Sequence, residues 1–119
     1  MTDPNDLLLR ARSVNTSTDD LRALALDDSP LVRSGVAHNL RAPPWALARL
    51  AGDPNEGVRD GVASNPFTPP SVLAAMARDP DPRVRLIVAV NPYTPAGAIE
   101  GLSRDSDARV RHSAVTRRF

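Results

Sequence analysis

The stretch Thr68-Pro-Pro-Ser-Val-Leu-Ala-Ala-Met-Ala-Arg-Asp79, continuing as Pro80-Asp-Pro-Arg-Val-Arg-Leu-Ile-Val-Ala-Val-Asn91, is one copy of a motif that returns every 26 residues. Sliding the chain by that interval superimposes Val32-Arg33, Val58-Arg59, Val84-Arg85 and Val110-Arg111. It also aligns Asp27, Asp53, Asp79 and Asp105, and Asn39, Asn65 and Asn91. Four further columns are apolar: Leu21/Leu47/Leu73/Ile99, Leu24/Leu50/Met76/Leu102, Val36/Val62/Val88/Ala114 and Ala37/Ala63/Ala89/Val115. Self-similarity at such a period marks a solenoid, in which each unit buries its apolar face only against its neighbours.

Each unit reads as two short helices. The first is expected to begin at Thr68 or Thr94 as the capping residue, with Pro69 or Pro95 at the first helical position. Its apolar residues, Leu73 and Met76 or Ile99 and Leu102, are three apart and share one face. The second helix is expected to start after Ser29, Asn55, Asp81 or Asp107, with Pro30 and Pro82 one residue later. It should end at Asn39, Asn65 or Asn91, a residue type that tolerates the left-handed conformation, before Pro66 and Pro92 block continuation. Alternation with period two is absent, so no strands are expected. In residues 1–15, Asp3-Pro4 aligns with Ser29-Pro30 and Leu7-Leu8-Leu9 fills the following helix. The expected organisation is therefore a single domain, 1–119, with an N-terminal half-repeat cap at 1–15. Full repeats follow at 16–41, 42–67, 68–93 and 94–119, an all-α solenoid of about four and a half units and about nine helices. The chain stops at Phe119 without a polar closing helix, so either self-association through that end or a fragment boundary is expected.

Aromatic residues are only 3% of the chain, so the core must be built from Leu, Val, Ile and Ala in thin layers. There is no cysteine, which excludes disulfides, thiol catalysis and thiolate metal sites. No apolar run is long enough for a signal peptide or a membrane span, and a cytoplasmic location is the expectation. The net charge is +1, with 7 Arg against 9 acidic residues in 1–60 and 8 against 5 in 61–119. All 15 basic residues are Arg. That bias has two readings, genomic base composition or planar recognition of carboxylate and phosphate.

The string Asn65-Pro66-Phe67-Thr68-Pro69-Pro70, with Leu73, Met76, Asp79, Val84-Arg85 and Val88-Ala89, resembles the leucine-rich repeat variant family, and more distantly the helix-pair core of HEAT repeats. The likeness recurs along nearly the whole chain. It implies a right-handed superhelix of paired helices, with 3₁₀ geometry open for one helix of each pair, and macromolecular contact as the role. The iron–sulfur cluster beside some members needs a cysteine cluster that this chain lacks, so no cofactor is carried over.

The recurrent Asp27/53/79/105 and Arg33/59/85/111 columns read as a structural charge ladder, with a row of Arg open to phosphate as the alternative. The Asn column reads as loop hydrogen-bonders. Function is expected where repeats disagree, on the outer face of the second helix, whose positions lie within about 60° of one another. That face carries Leu31, Ser34, His38; Gly57, Asp60, Ser64; Arg83, Leu86, Val90; and Arg109, His112, Thr116. Leu86 and Val90 flanked by Arg83 and Arg109 predict an apolar patch with a basic rim, which suits a protein partner. His112, Arg78 and Arg104 complete the candidate partner-binding set. Phe67 and Tyr93 share a loop column with Arg41 and Phe119 at its ends, and are expected to seal the edge between repeats; stacking on bases or gripping a peptide is the alternative. Trp45, beside Pro43-Pro44, is expected to pack locally. His38 and His112 fall in different columns, and no nucleophile-and-base spacing or phosphate loop appears, so no catalytic or metal residue is assigned. The expected role is a non-catalytic protein-interaction module or scaffold, with nucleic-acid binding through Arg second.

Overall fold

The computed structural model describes residues 4–117, and among them are nine α-helices and no strand. These are α1 Pro4–Arg12, α2 Thr18–Leu24, α3 Pro30–His38, α4 Pro44–Leu50, α5 Glu56–Ser64, α6 Pro70–Met76, α7 Pro82–Val90, α8 Ala96–Leu102 and α9 Ala108–Arg117. Asp3 and Phe119, to which the reading gave a capping and an end-contact role, lie outside the described residues. Odd-numbered helices have nine or ten residues and even-numbered ones seven. The long helices stack on one another in chain order, and the short ones pack against their long neighbours but touch each other little. The product is a two-layered rod of 49 × 20 × 17 Å, an all-α repeat solenoid. Helices this short are marginal alone, so packing between layers must hold them.

The aligned apolar columns form that packing. Val32, Val58, Val84 and Val110, with Val36, Val62, Val88 and Ala114, are buried along the long-helix layer. Leu21, Leu47, Leu73 and Ile99, with Leu24, Leu50, Met76 and Leu102, face them from the short helices. One column breaks at its end: Ala37, Ala63 and Ala89 are buried, whereas Val115 is partly exposed because no described helix stacks beyond α9.

Two local expectations are corrected, and the geometry left open for one helix of each pair is decided. Both helices of each pair are α; i→i−3 bonds occur at helix ends and turns, as at the exit of the short helices, where the amides of Leu26, Gly52, Arg78 and Arg104 reach the carbonyls of Ala23, Arg49, Ala75 and Gly101. Thr68 and Thr94 do not cap the short helices, which begin one residue later behind Pro69 and Pro95. Their hydroxyls are buried and donate back to the carbonyls of Val62 and Val88 at 2.7 Å, tying each turn to the helix it leaves. The terminal asparagines are not left-handed either, since Asn39, Asn65 and Asn91 all have φ between −75° and −70° with extended ψ. The starts of the long helices are capped as expected at three of four positions. Asn55, Asp81 and Asp107 accept amide bonds from Val58, Arg83 and Arg109, while the Ser29 side chain makes no such bond.

Glycines separate into two kinds. A Cβ at Gly61 would stand 2.8 Å from the Ala37 Cβ and 2.7 Å from His38 Nδ1, and one at Gly35 would stand 2.9 Å from the Ala11 Cβ. These two residues let α1, α3 and α5 approach closely. Gly97 and Gly101 on α8 have nothing within 4 Å of such an atom. Gly61→Ala is therefore expected to destabilise by about 1–3 kcal/mol through overpacking. Gly97→Ala and Gly101→Ala should each stabilise by about 0.5–1 kcal/mol by restricting the unfolded chain. Urea denaturation of the three variants tests this, and equal signs would refute the distinction.

Candidate interaction surface

Two turn types alternate along the rod and define its two edges. Turns from short to long helix carry the Asp column. Each Asp Oδ1 accepts the amide two residues on, at Ser29, Asn55, Asp81 or Asp107, all at 2.9 Å. The other carboxylate oxygen accepts from the Arg of the preceding unit: Arg33 Nε to Asp53 at 2.7 Å, Arg59 Nε to Asp79 at 2.9 Å and Arg85 Nε to Asp105 at 2.8 Å. The same guanidinium turns Nη1 to the carbonyl six residues behind it, at Asp27, Asp53, Asp79 or, for Arg111, Asp105. Each of the four Arg thus closes its own turn, and Arg33, Arg59 and Arg85 also clamp the next. The Asp53 and Asp105 carboxylates hold Arg33 and Arg85 protonated to above the usual guanidinium range, despite partial desolvation.

Turns from long to short helix carry the Asn column, a second ladder whose partners the sequence reading did not identify. Asn65 Nδ2 donates to the carbonyls of Ala37 and Asn39 at 2.9 and 3.0 Å, and its Oδ1 accepts from Phe67 N at 2.9 Å. Asn39 repeats this against Ala11, Ser13 and Arg41, and Asn91 against Ala63, Asn65 and Tyr93. One period after Asn91 the position is Arg117. Its guanidinium reaches the matching carbonyls of Ala89 and Asn91 and also that of Pro92, so it replaces the amide with a longer donor.

This ladder presents Phe67 and Tyr93. Both rings were expected to seal the edge, and the structure corrects this: Phe67 is 64% and Tyr93 59% exposed. Their backbone amides are consumed by Asn65 and Asn91 and the adjoining Thr is buried, so the ring is what remains to point outward. The edges also differ in charge. Every short-to-long turn carries one or two Asp, whereas residues 39–43, 65–69 and 91–95 contain no acid. Trp45 lies on the short-helix layer near Arg22, Ala23 and Leu26, half-exposed, with the Arg49 guanidinium 6.0 Å from its ring centre.

The candidate set on the outer face is brought together only in part. Val90 is 59% exposed and His112 is exposed, but Leu86 is half-buried and packs against the core, so it adds little to a patch. Arg83 is not a free rim: it reaches back to α5, 3.3 Å from Glu56 and 3.6 Å from Asp60. Burial raises the Asp60 carboxyl, whose Oδ1 has no hydrogen-bond partner. Beside it Glu56 is raised, first by sharing a hydrogen bond with Asp81, while the Arg83 amide and then Glu56 lower Asp81. Arg109 contacts Asp107 at 3.4 Å, and a hydrogen bond from Arg109 is the first cause of the lowered Asp107 carboxyl. Arg104 contacts Glu100 at 3.1 Å. Arg78 is exposed beside a groove of about 420 Å³ between α6 and α8, away from Arg83's partners on α5. No group of three or more His, Asp or Glu among the described residues is arranged to hold a metal ion. No described helix is long and apolar enough to cross a membrane.

Tandem helix pairs joined by two internal ladders define a helical-repeat protein. The model of the family described as leucine rich repeat variant matches residues 56–81 and 82–107, two consecutive units of the period. These two units match that family, in agreement with the resemblance. The family's unit is cut at the start of the long helix, whereas the units 42–67 and 68–93 place the short helix first. No curated protein and no solved structure matches the chain.

Proposed function

We propose that this protein is a non-catalytic, cytoplasmic protein-interaction module or scaffold. The observation that carries this reading is the division of labour among its columns. The residues that recur are engaged in stacking and in the two ladders, so the side chains left outside are those that vary between repeats. On α7 and α9 these include Val90, Arg109 and His112, an exposed apolar residue and two exposed polar ones. A rigid rod that presents a varying surface suits recognition of a protein partner. The nucleic-acid alternative relied on the recurrent Arg column, and Arg33, Arg59 and Arg85 are occupied by carboxylates.

The test is affinity capture from host lysate with the wild type and Val90→Asp/Arg109→Glu, each with and without nuclease. Leu86 is unsuitable for mutation because it packs on the core. A protein retained by the wild type, lost from the variant and indifferent to nuclease supports the module and this face. Recovery that vanishes with nuclease would move the reading to nucleic acid, whose binding should also weaken steeply with salt.

A further inference from the structure

We propose that the Asn-ladder edge is a docking strip for an extended, proline-containing peptide with acidic flanks. The inference rests on the interaction-module reading and gives that module a site and a partner chemistry. Phe67 and Tyr93 are equivalent positions on successive units, exposed and set on turns whose backbone is held by Asn65 and Asn91. Pro66 and Pro92 precede the rings and Pro69 and Pro95 follow, so little entropy is left to lose on binding.

Spacing selects the occupant's conformation. Five long helices stacked within 49 Å put successive turns about 10 Å apart, the usual separation of packed helices. A polyproline II segment advances about 9 Å in three residues, one full turn, so side chains three apart meet consecutive rings in the same orientation. Charge selects its flanks. The three turns from 39 to 95 contain no acid, Arg41 is exposed at one end of the row, and the Arg117 guanidinium sits on the Pro92 carbonyl beside Tyr93 at the other. On the opposite edge Asp53, Asp79 and Asp105 are already paired with Arg33, Arg59 and Arg85, and no acid-free row is presented.

The experiment is fluorescence anisotropy with a labelled peptide that carries proline at every third position between pairs of Glu. The wild-type protein should bind it. Phe67→Ala/Tyr93→Ala should weaken binding by at least about tenfold. Arg41→Glu should weaken it by a few-fold, and so should replacing the peptide's Glu by Lys. All substituted side chains are exposed, so unchanged circular dichroism and melting should accompany the loss. No binding, or binding that the aromatic double variant leaves intact, overturns the proposal. A labelled oligo-dT bound in preference to the peptide and lost in that variant overturns it in favour of nucleic acid. In the lysate capture above, a partner retained by Phe67→Ala/Tyr93→Ala but lost with Val90→Asp/Arg109→Glu refutes the strip while the module reading survives. A partner retained by both variants refutes the two site assignments together.

Discussion

Asn65→Ala is expected to lower the unfolding free energy by about 3–5 kcal/mol, because one truncation strands three backbone groups, two of them in buried bonds. The Ala37 and Asn39 carbonyls lose their donor and the Phe67 amide loses its acceptor. The residue is 2% exposed, so water cannot substitute without entering the stack. A loss of this size is a large part of the about 5–15 kcal/mol that holds an ordinary domain together. Asn65→Asp sharpens the test. It keeps the shape and the acceptor for Phe67, yet at neutral pH sets a carboxylate against two carbonyl oxygens, so it should be at least as damaging as Ala. Urea denaturation followed by circular dichroism measures both. A loss below about 1 kcal/mol for each would mean that the Asn ladder is a by-product of stacking and not a support of it.

Breaking the Arg59–Asp79 clamp on the opposite edge should cost about 3–5 kcal/mol when Asp79 is replaced by Ala. The Arg59 guanidinium is then left largely buried beside an empty place, and the Asp81 amide loses its acceptor. Asp79→Asn retains an acceptor for Asp81 and should cost less, as should Arg59→Lys, which keeps the charge but loses the planar fork. The pair Arg59→Gln/Asp79→Asn removes both charges and should recover part of the loss, giving a coupling energy of about 1–3 kcal/mol in a double-mutant cycle. Additive effects would show that the two side chains act independently. Because the pair joins adjacent units, hydrogen exchange should rise in the α5–α7 region before it does at α1–α3.

Much of this architecture was legible in the chain because a solenoid repeats its solution. Four Val-Arg pairs at one interval were enough to place the helices and the buried columns, and the Asp and Arg columns named both members of the clamp. Legibility ended where a residue's partner lies a whole unit away. Asn39, Asn65 and Asn91 looked like helix-ending residues because that is what Asn does locally, yet their amides are spent on carbonyls 26 and 28 residues earlier. Thr68 and Thr94 looked like caps for the helix ahead and instead bind the helix behind. Gly35 and Gly61 carry a signal of close approach by a neighbour, since each is a glycine mid-helix where it costs helix stability.

The candidate surface shows the same division. Sequence comparison between repeats correctly separates columns that recur from positions that vary, since stacking imposes identity on every unit and leaves the rest free. It cannot say which variable side chains reach solvent. Leu86 and Val90 are four residues apart on one helix, but Leu86 settles into the core while Val90 stays out, because the depth of a side chain depends on how closely the neighbouring helix approaches. Phe67 and Tyr93 were expected to seal the edge between repeats, and the Asn and Thr anchors around them turn the rings outward. The period of this chain by itself determined the repeat, the helix pair and the buried columns, since each follows from one-dimensional spacing. Which face is free, which charges are already paired and where aromatic rings stand exposed were decided only by tertiary structure, because these depend on distances between units that the spacing does not contain.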